Sequence, residues 1–136
     1  MEFITVEQFK EQPVEVQKMF LDWWKPRIGD IFIFNTDEYD NSDSNIGVLG
    51  SIKQINITRR SKGKYRIPLF TEGQLRKFIE DKTGGKVDAS FGGKTYTVYS
   101  NEDFGLIFKM YEDIDSDLLQ AYWKVACMIA KESLNG

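Results

Sequence analysis

The chain spells out the same helix start three times, and these starts divide it before any other pattern is read. Ile4-Thr5-Val6-Glu7-Gln8-Phe9 sets a threonine N-cap three residues before a glutamine, with Ile4 and Phe9 flanking it as a hydrophobic staple. Phe70-Thr71-Glu72-Gly73-Gln74-Leu75 repeats the arrangement with Thr71, Gln74 and the Phe70/Leu75 pair. Ile114-Asp115-Ser116-Asp117-Leu118-Leu119 is a looser copy with Asp115 as the cap. In each, a side-chain oxygen takes up a backbone N–H that the first helical turn leaves unmatched. The flanking segments differ, so this is a recurring local device and not a sequence repeat. Helices are predicted from Thr5, Thr71 and Asp115.

Hydrophobic period sets the elements between these starts. Pro13 interrupts the first helix and suits the first position of a new one, predicted to run to about Trp24. Val16, Met19, Phe20 and Trp23 fall at i, i+3, i+4 and i+7 on its inward face, and Pro26 ends it. Gly29-Asp30 turns into the strand Ile31-Phe32-Ile33-Phe34. Asn35 to Asn45 is a polar, acidic loop. Ile46 to Thr58 reads as a second strand region, bent or bulged at Gly47 and Gly50, and Ser61 to Lys64 as a basic turn. The helix from Thr71 to about Lys82 turns Leu75, Phe78 and Ile79 inward and ends at Gly84. Val87-Ala89-Phe91 alternates, Gly92-Gly93 makes a two-residue turn, and Tyr96-Val98 alternates back. That register sets Val87 opposite Val98 and Ala89 opposite Tyr96. Leu106-Ile107-Phe108-Lys109-Met110 is a further strand, and Asp115 to about Lys131 is the last helix. The expected order is α-α-β-β-α-β-β-β-α. That is an α+β single domain over 1–136, its helices packed on one face of a mostly antiparallel sheet.

The chemistry open to this chain is narrowed by what it lacks. It contains no histidine in 136 residues. A Ser-His-Asp or Cys-His centre, a Cys2His2 zinc site and a two-histidine iron site are therefore excluded. Carboxylate chemistry, lysine chemistry and plain binding remain. No spacing supports a paired-carboxylate site, so no catalytic residue is assigned, and the expectation is a binding protein without a cofactor. The net charge of -3 gives no global attraction to nucleic acid. Cys127 is the only cysteine, which rules out an internal disulfide and fits a reducing compartment. The first residues carry no basic, apolar leader, and the longest apolar run, Val125 to Ala130, is too short to span a bilayer. A cytoplasmic protein with no membrane role is expected.

Charge is segregated. From Ser44 to Thr71 there is no acid and there are six bases, Lys53, Arg59, Arg60, Lys62, Lys64 and Arg66, with Tyr65 among them. Arg59, Arg60, Lys62, Lys64, Tyr65 and Arg66 could bind a nucleotide or nucleic acid, the tyrosine stacking on a base. The alternative is a solvated turn whose lysines keep a strand edge from pairing. Acids gather in two places: Asp37, Glu38, Asp40 and Asp43 in the first loop, and Glu112, Asp113, Asp115 and Asp117 before the last helix. Asp113-x-Asp115-x-Asp117 opens like a calcium loop, but Leu118 and Lys124 stand where that loop needs glycine and glutamate, so no metal is expected. Either cluster could dock a basic partner. Cys127 falls near Gln120, Lys124 and Lys131, on the polar side of the last helix. With Met128 it would form an exposed apolar spot suited to a partner; the alternative is packing against the N-terminal helices. Trp24 lies off the Val16-Phe20-Trp23 stripe and is expected half-exposed, a hot-spot candidate or a cap on the core edge.

Three segments, Phe20 to Asp30, Ile67 to Glu80 and Asp117 to Val125, resemble counterparts in small accessory proteins encoded by phages and prophages of Gram-positive bacteria. They include Asp22-Trp23-Trp24-Lys25-Pro26, Ile67-Pro68-Leu69-Phe70-Thr71 and Gln120-Ala121-Tyr122-Trp123. The resemblance implies a compact protein in the host cytoplasm that blocks or sequesters a host factor, and it brings no site residue with it. The leading expectation is therefore a non-enzymatic inhibitor that binds a host protein, such as a defence component. Trp24, Asp37, Glu38, Asp40, Asp43, Cys127 and Met128 are its contact candidates. The alternatives are nucleotide or nucleic-acid binding through residues 59–66, and a homo-oligomeric structural protein in which the basic segment of one copy meets an acidic cluster of another.

Overall fold

The computed structural model describes residues 2–34, 45–101 and 108–135. In chain order the elements are α1 (Val6–Lys10), α2 (Val14–Trp23), β1 (Ile31–Phe34), β2 (Ile46–Val48), α3 (Ile52–Ser61), β3 (Arg66–Pro68), α4 (Glu72–Thr83), β4 (Lys86–Gly92), β5 (Thr95–Asn101), β6 (Phe108–Asp115) and α5 (Leu118–Asn135). The α+β class is borne out. The one expected sheet is two antiparallel three-stranded sheets, ordered β2-β1-β3 and β4-β5-β6. Each belongs to its own compact unit, the first to Thr5–Phe70 and the second to Met1–Ile4 with Thr71–Gly136. The reason lies in β3, which the sequence reading missed. It pairs with the second edge of β1, so β1 has no edge left for a later strand. Pro68 also denies β3 a ladder donor.

In the first unit, Thr5 and Gln8 form the expected capping box: the Gln8 N–H donates to Thr5 Oγ1 at 3.1 Å and the Thr5 N–H to Gln8 Oε1 at 3.0 Å. Pro13 caps α2 rather than occupying its first turn. Val16 and Phe20 are fully buried, and Phe70 lies tilted against Phe20 and edge-on to Trp23. The region expected to continue β2 as a strand is α3 instead. Ser51 Oγ accepts the Gln54 N–H at 3.2 Å, and Gln54 Oε1 accepts the Gly50 N–H at 2.7 Å. Ser51-x-x-Gln54 is thus a fourth copy of the helix start, hidden behind a Gly-Ser pair. Opposite Phe32, position 47 must be glycine: a Cβ there would lie 2.7 Å from Phe32 Cζ.

In the second unit, Thr71 and Gln74 form the second capping box, and Gly84 closes α4 at φ 75°. The β4–β5 hairpin is shifted from the expected register by two residues. Val87 faces Ser100, Ala89 faces Val98 and Phe91 faces Tyr96. The turn is Gly93-Lys94, because Gly93 supplies the positive φ of 69°. A shift of two preserves the faces, so Val87 and Val98 remain buried. β6 extends to Asp115, with Glu112, Asp113 and Ile114 bulged opposite Thr97 and Asp113 at φ 51°. The expected strand residues Leu106 and Ile107 lie outside the described residues. The cap of α5 is Asp117, not Asp115: Asp117 Oδ2 accepts the Gln120 N–H at 3.0 Å. α5 packs on α4, β5 and β6. Among the described residues no strand pairs with the outer edge of β4. There the Val87 N–H donates to Glu80 Oε2 at 3.2 Å and the Ala89 N–H to Asp88 Oδ1 at 2.8 Å.

Candidate binding surface

The structure removes two of the contact candidates from the surface. Trp24, expected half-exposed, is 1% exposed. Helical angles do not apply to it, because α2 stops at Trp23 and Trp24 takes extended backbone, φ -65° and ψ 117°. Its indole Nε1–H donates to Asp30 Oδ2 at 2.9 Å, and the same oxygen accepts the Arg27 N–H. Trp23, expected inward, is the half-buried one of the pair. Cys127 is 6% exposed, because α5 up to Ala130 is covered around most of its girth and leaves only a narrow stripe through Lys124 and Met128 in solvent. Burial pushes the Cys127 thiol up to about 12, so it stays protonated near neutral pH. Met128 stands in the stripe and remains exposed, without the cysteine beside it on the surface. Asp37, Glu38, Asp40 and Asp43 lie outside the described residues.

The second acidic cluster is engaged within the fold. Asp115 Oδ1 accepts the Asp117 N–H and Oδ2 pairs with Lys124 Nζ at 2.7 Å, which holds the Asp115 carboxyl below the usual range. Asp113 Oδ1 accepts the Thr95 hydroxyl at 3.0 Å. Among the described residues no group of three or more acids or cysteines is arranged to hold a metal ion. Nor is any helix there long and apolar enough to cross a membrane.

The basic segment divides in two. Lys62 and Arg66 serve the fold. Lys62 Nζ donates to the Trp24 carbonyl at 3.0 Å. Arg66 Nη1 donates to Thr58 Oγ1 at 2.7 Å, and its guanidinium lies over Phe32 and Phe34 at 4.7 and 5.3 Å from the ring centres. Arg59, Arg60, Lys64 and Tyr65 face solvent, with Lys64 Nζ 5.1 Å from the Tyr65 ring centre. They sit on the last turn of α3 and on the turn that leads into β3, an outer strand of its sheet.

What the sequence reading missed is the rest of this surface. α3 buries only Thr58. Its outward face carries Ile52 and Lys53 at the start, Asn56 in the middle, and Arg59 and Arg60 at the end. Ile52 is 71% exposed, Val48 59% and Ile28 64%. Backbone hydrogen bonds set the segments carrying Ile28 and Val48 side by side, and Ile52 follows Val48 by four residues. The Gly29 N–H donates to the Leu49 carbonyl at 2.8 Å, the Leu49 N–H to the Asp30 carbonyl at 2.9 Å, and Ile31 pairs with Val48. Recognising Ser51-x-x-Gln54 as a helix start would have turned Ile52 outward on paper. No protein family, curated protein or solved structure matches this chain.

Proposed function

We propose that this chain is a non-enzymatic binding protein that docks on a protein partner through α3 and the Ile28-Val48-Ile52 corner. The observation that carries the reading is three aliphatic side chains, each more than half exposed, gathered at the start of a helix that buries one residue. Gathered apolar exposure favours a protein interface. It favours nucleic acid less, since aliphatic groups gain nothing on a phosphate backbone. The resemblance to small phage proteins points to a host protein as the partner, and to its blockade as the consequence.

The test compares the intact protein with the Val48→Asp/Ile52→Asp variant, each immobilised and exposed to a Gram-positive bacterial lysate. We expect one protein retained in stoichiometric amount by the wild type and lost from the variant, with thermal unfolding unchanged. Identical retention by both would sink the proposal. Light scattering decides the homo-oligomer reading, since a second copy on this surface gives a dimer mass that the variant lacks.

The exposed Lys64–Tyr65 pair beside Arg59 and Arg60 favours nucleic acid as a second reading. It predicts binding that weakens steeply with salt and is lost when the two arginines become glutamate.

A further inference from the structure

Resting on that reading, we propose that the partner presents acidic side chains next to its apolar contact, aligned with Arg59 and Arg60. The docking face of α3 is polarised along its axis. Ile52, with Val48 and Ile28, holds one end, and Arg59 and Arg60 hold the other. Eight residues of helix separate Ile52 from Arg60, about 12 Å at 1.5 Å per residue.

Two internal uses for these cations do not suffice. The negative pole of a helix amounts to about half a charge, less than two arginines bring. Nor, among the described residues, does an acid of the fold pair with either arginine. The ion pairs Lys77–Asp81, Lys109–Glu132 and Lys124–Asp115 all belong to the other unit, and among the described residues neither Arg59 nor Arg60 forms one. The Arg60 Nε–H turns back to the Asn56 carbonyl at 3.3 Å, and Arg59 makes no contact of that kind. The protein as a whole carries a net negative charge, so this cationic end is a local departure from it. Charge complementarity assigns its occupant: carboxylates, held beside a pocket that takes the aliphatic corner.

The probe is a library of helical peptides displayed on yeast, selected against the full-length protein at low salt. The expected result is enrichment of peptides with Leu, Ile, Val, Met or Phe at one end and Asp or Glu about two helical turns away. Arg59→Glu/Arg60→Glu should weaken the selected peptides about tenfold or more at low ionic strength, with the gap narrowing as salt rises. Val48→Asp/Ile52→Asp should abolish binding. Both pairs are exposed, so unchanged thermal unfolding certifies each variant, and Arg59→Ala/Arg60→Ala gives the same ranking without reversed charge. Peptides enriched in aliphatics alone, and indifferent to the arginines, would overturn this inference and leave the protein-binding proposal standing. No peptide dependent on Val48 and Ile52 would sink both. A 20-nucleotide thymidine oligomer that binds the wild type and not the arginine variants, with no acidic peptide selected, would replace the acidic protein with a nucleic acid.

Discussion

Thr58 shows how one hydroxyl can anchor a helix. It is fully buried, donates to the Gln54 carbonyl at 2.7 Å, and accepts from Arg66 at the same distance. Thr58→Val keeps the shape and strands the guanidinium hydrogen. The expected cost is about 1–3 kcal/mol in urea unfolding, the range for leaving a buried donor unmatched. Asp30 plays a similar part beneath Trp24, and Asp30→Ala should expose the indole and red-shift its fluorescence. Cys127 gives a prediction in pH. Its thiol is raised in the folded state, so the neutral form is favoured there. The stability this contributes is complete below the ordinary value of 9.0 and is lost as pH rises toward about 12. Cys127→Ala should flatten the alkaline limb of the stability curve. In the native protein the thiol should react with a disulfide reagent only as fast as the fold opens, and at once in strong denaturant.

At the scale of elements, the sequence was legible where a polar signal and a hydrophobic period agreed. Thr5 with Gln8 and Thr71 with Gln74 placed the starts of α1 and α4 to the residue, and Gly84 closed α4 as expected. Legibility failed where a local choice outweighed the period. Ile55 and Ile57 alternate like a strand, yet the Ser51 cap and the Thr58–Arg66 bond hold them helical. Ser51→Ala should therefore cost about 1 kcal/mol, and circular dichroism should show helix lost from α3 before the rest. In the hairpin, two adjacent glycines left the turn ambiguous by one position, and only the positive φ of Gly93 decided it. β3 is three residues long, too short for any period to announce. Trp24 and Cys127 were misplaced for one reason: a helical wheel assumes a helix that continues and a single covered face, and neither assumption held. Gly47→Ala tests the first sheet directly. A methyl group 2.7 Å from Phe32 Cζ forces the ring or the strands to shift, at about 1–3 kcal/mol.

Over the whole molecule, charge is divided between the two units. The second holds the ion pairs named above, two of which, Lys109–Glu132 and Asp115–Lys124, tie β6 to α5. The depressed Asp115 carboxyl contributes stability that is complete above the ordinary value of 3.8 and is lost as pH falls through its folded value. Asp115→Asn should reduce the acid sensitivity of this unit and lower its stability at neutral pH. The raised Lys109 amine, held chiefly by its hydrogen bond to Glu132, works in the opposite range. Its contribution is present below 10.5 and fades in strong alkali.

The outer edge of β4 bears on the fate of the protein at high concentration. Its outward amides at Val87 and Ala89 are already taken, by a carboxylate from α4 and by the strand's own Asp88. An incoming strand would have to displace both, so two acids hinder filament growth from this side. Such a barrier goes only when the acceptors themselves are removed. Glu80→Ala/Asp88→Ala should therefore grow thioflavin-positive fibrils at neutral pH under conditions in which the wild type stays clear.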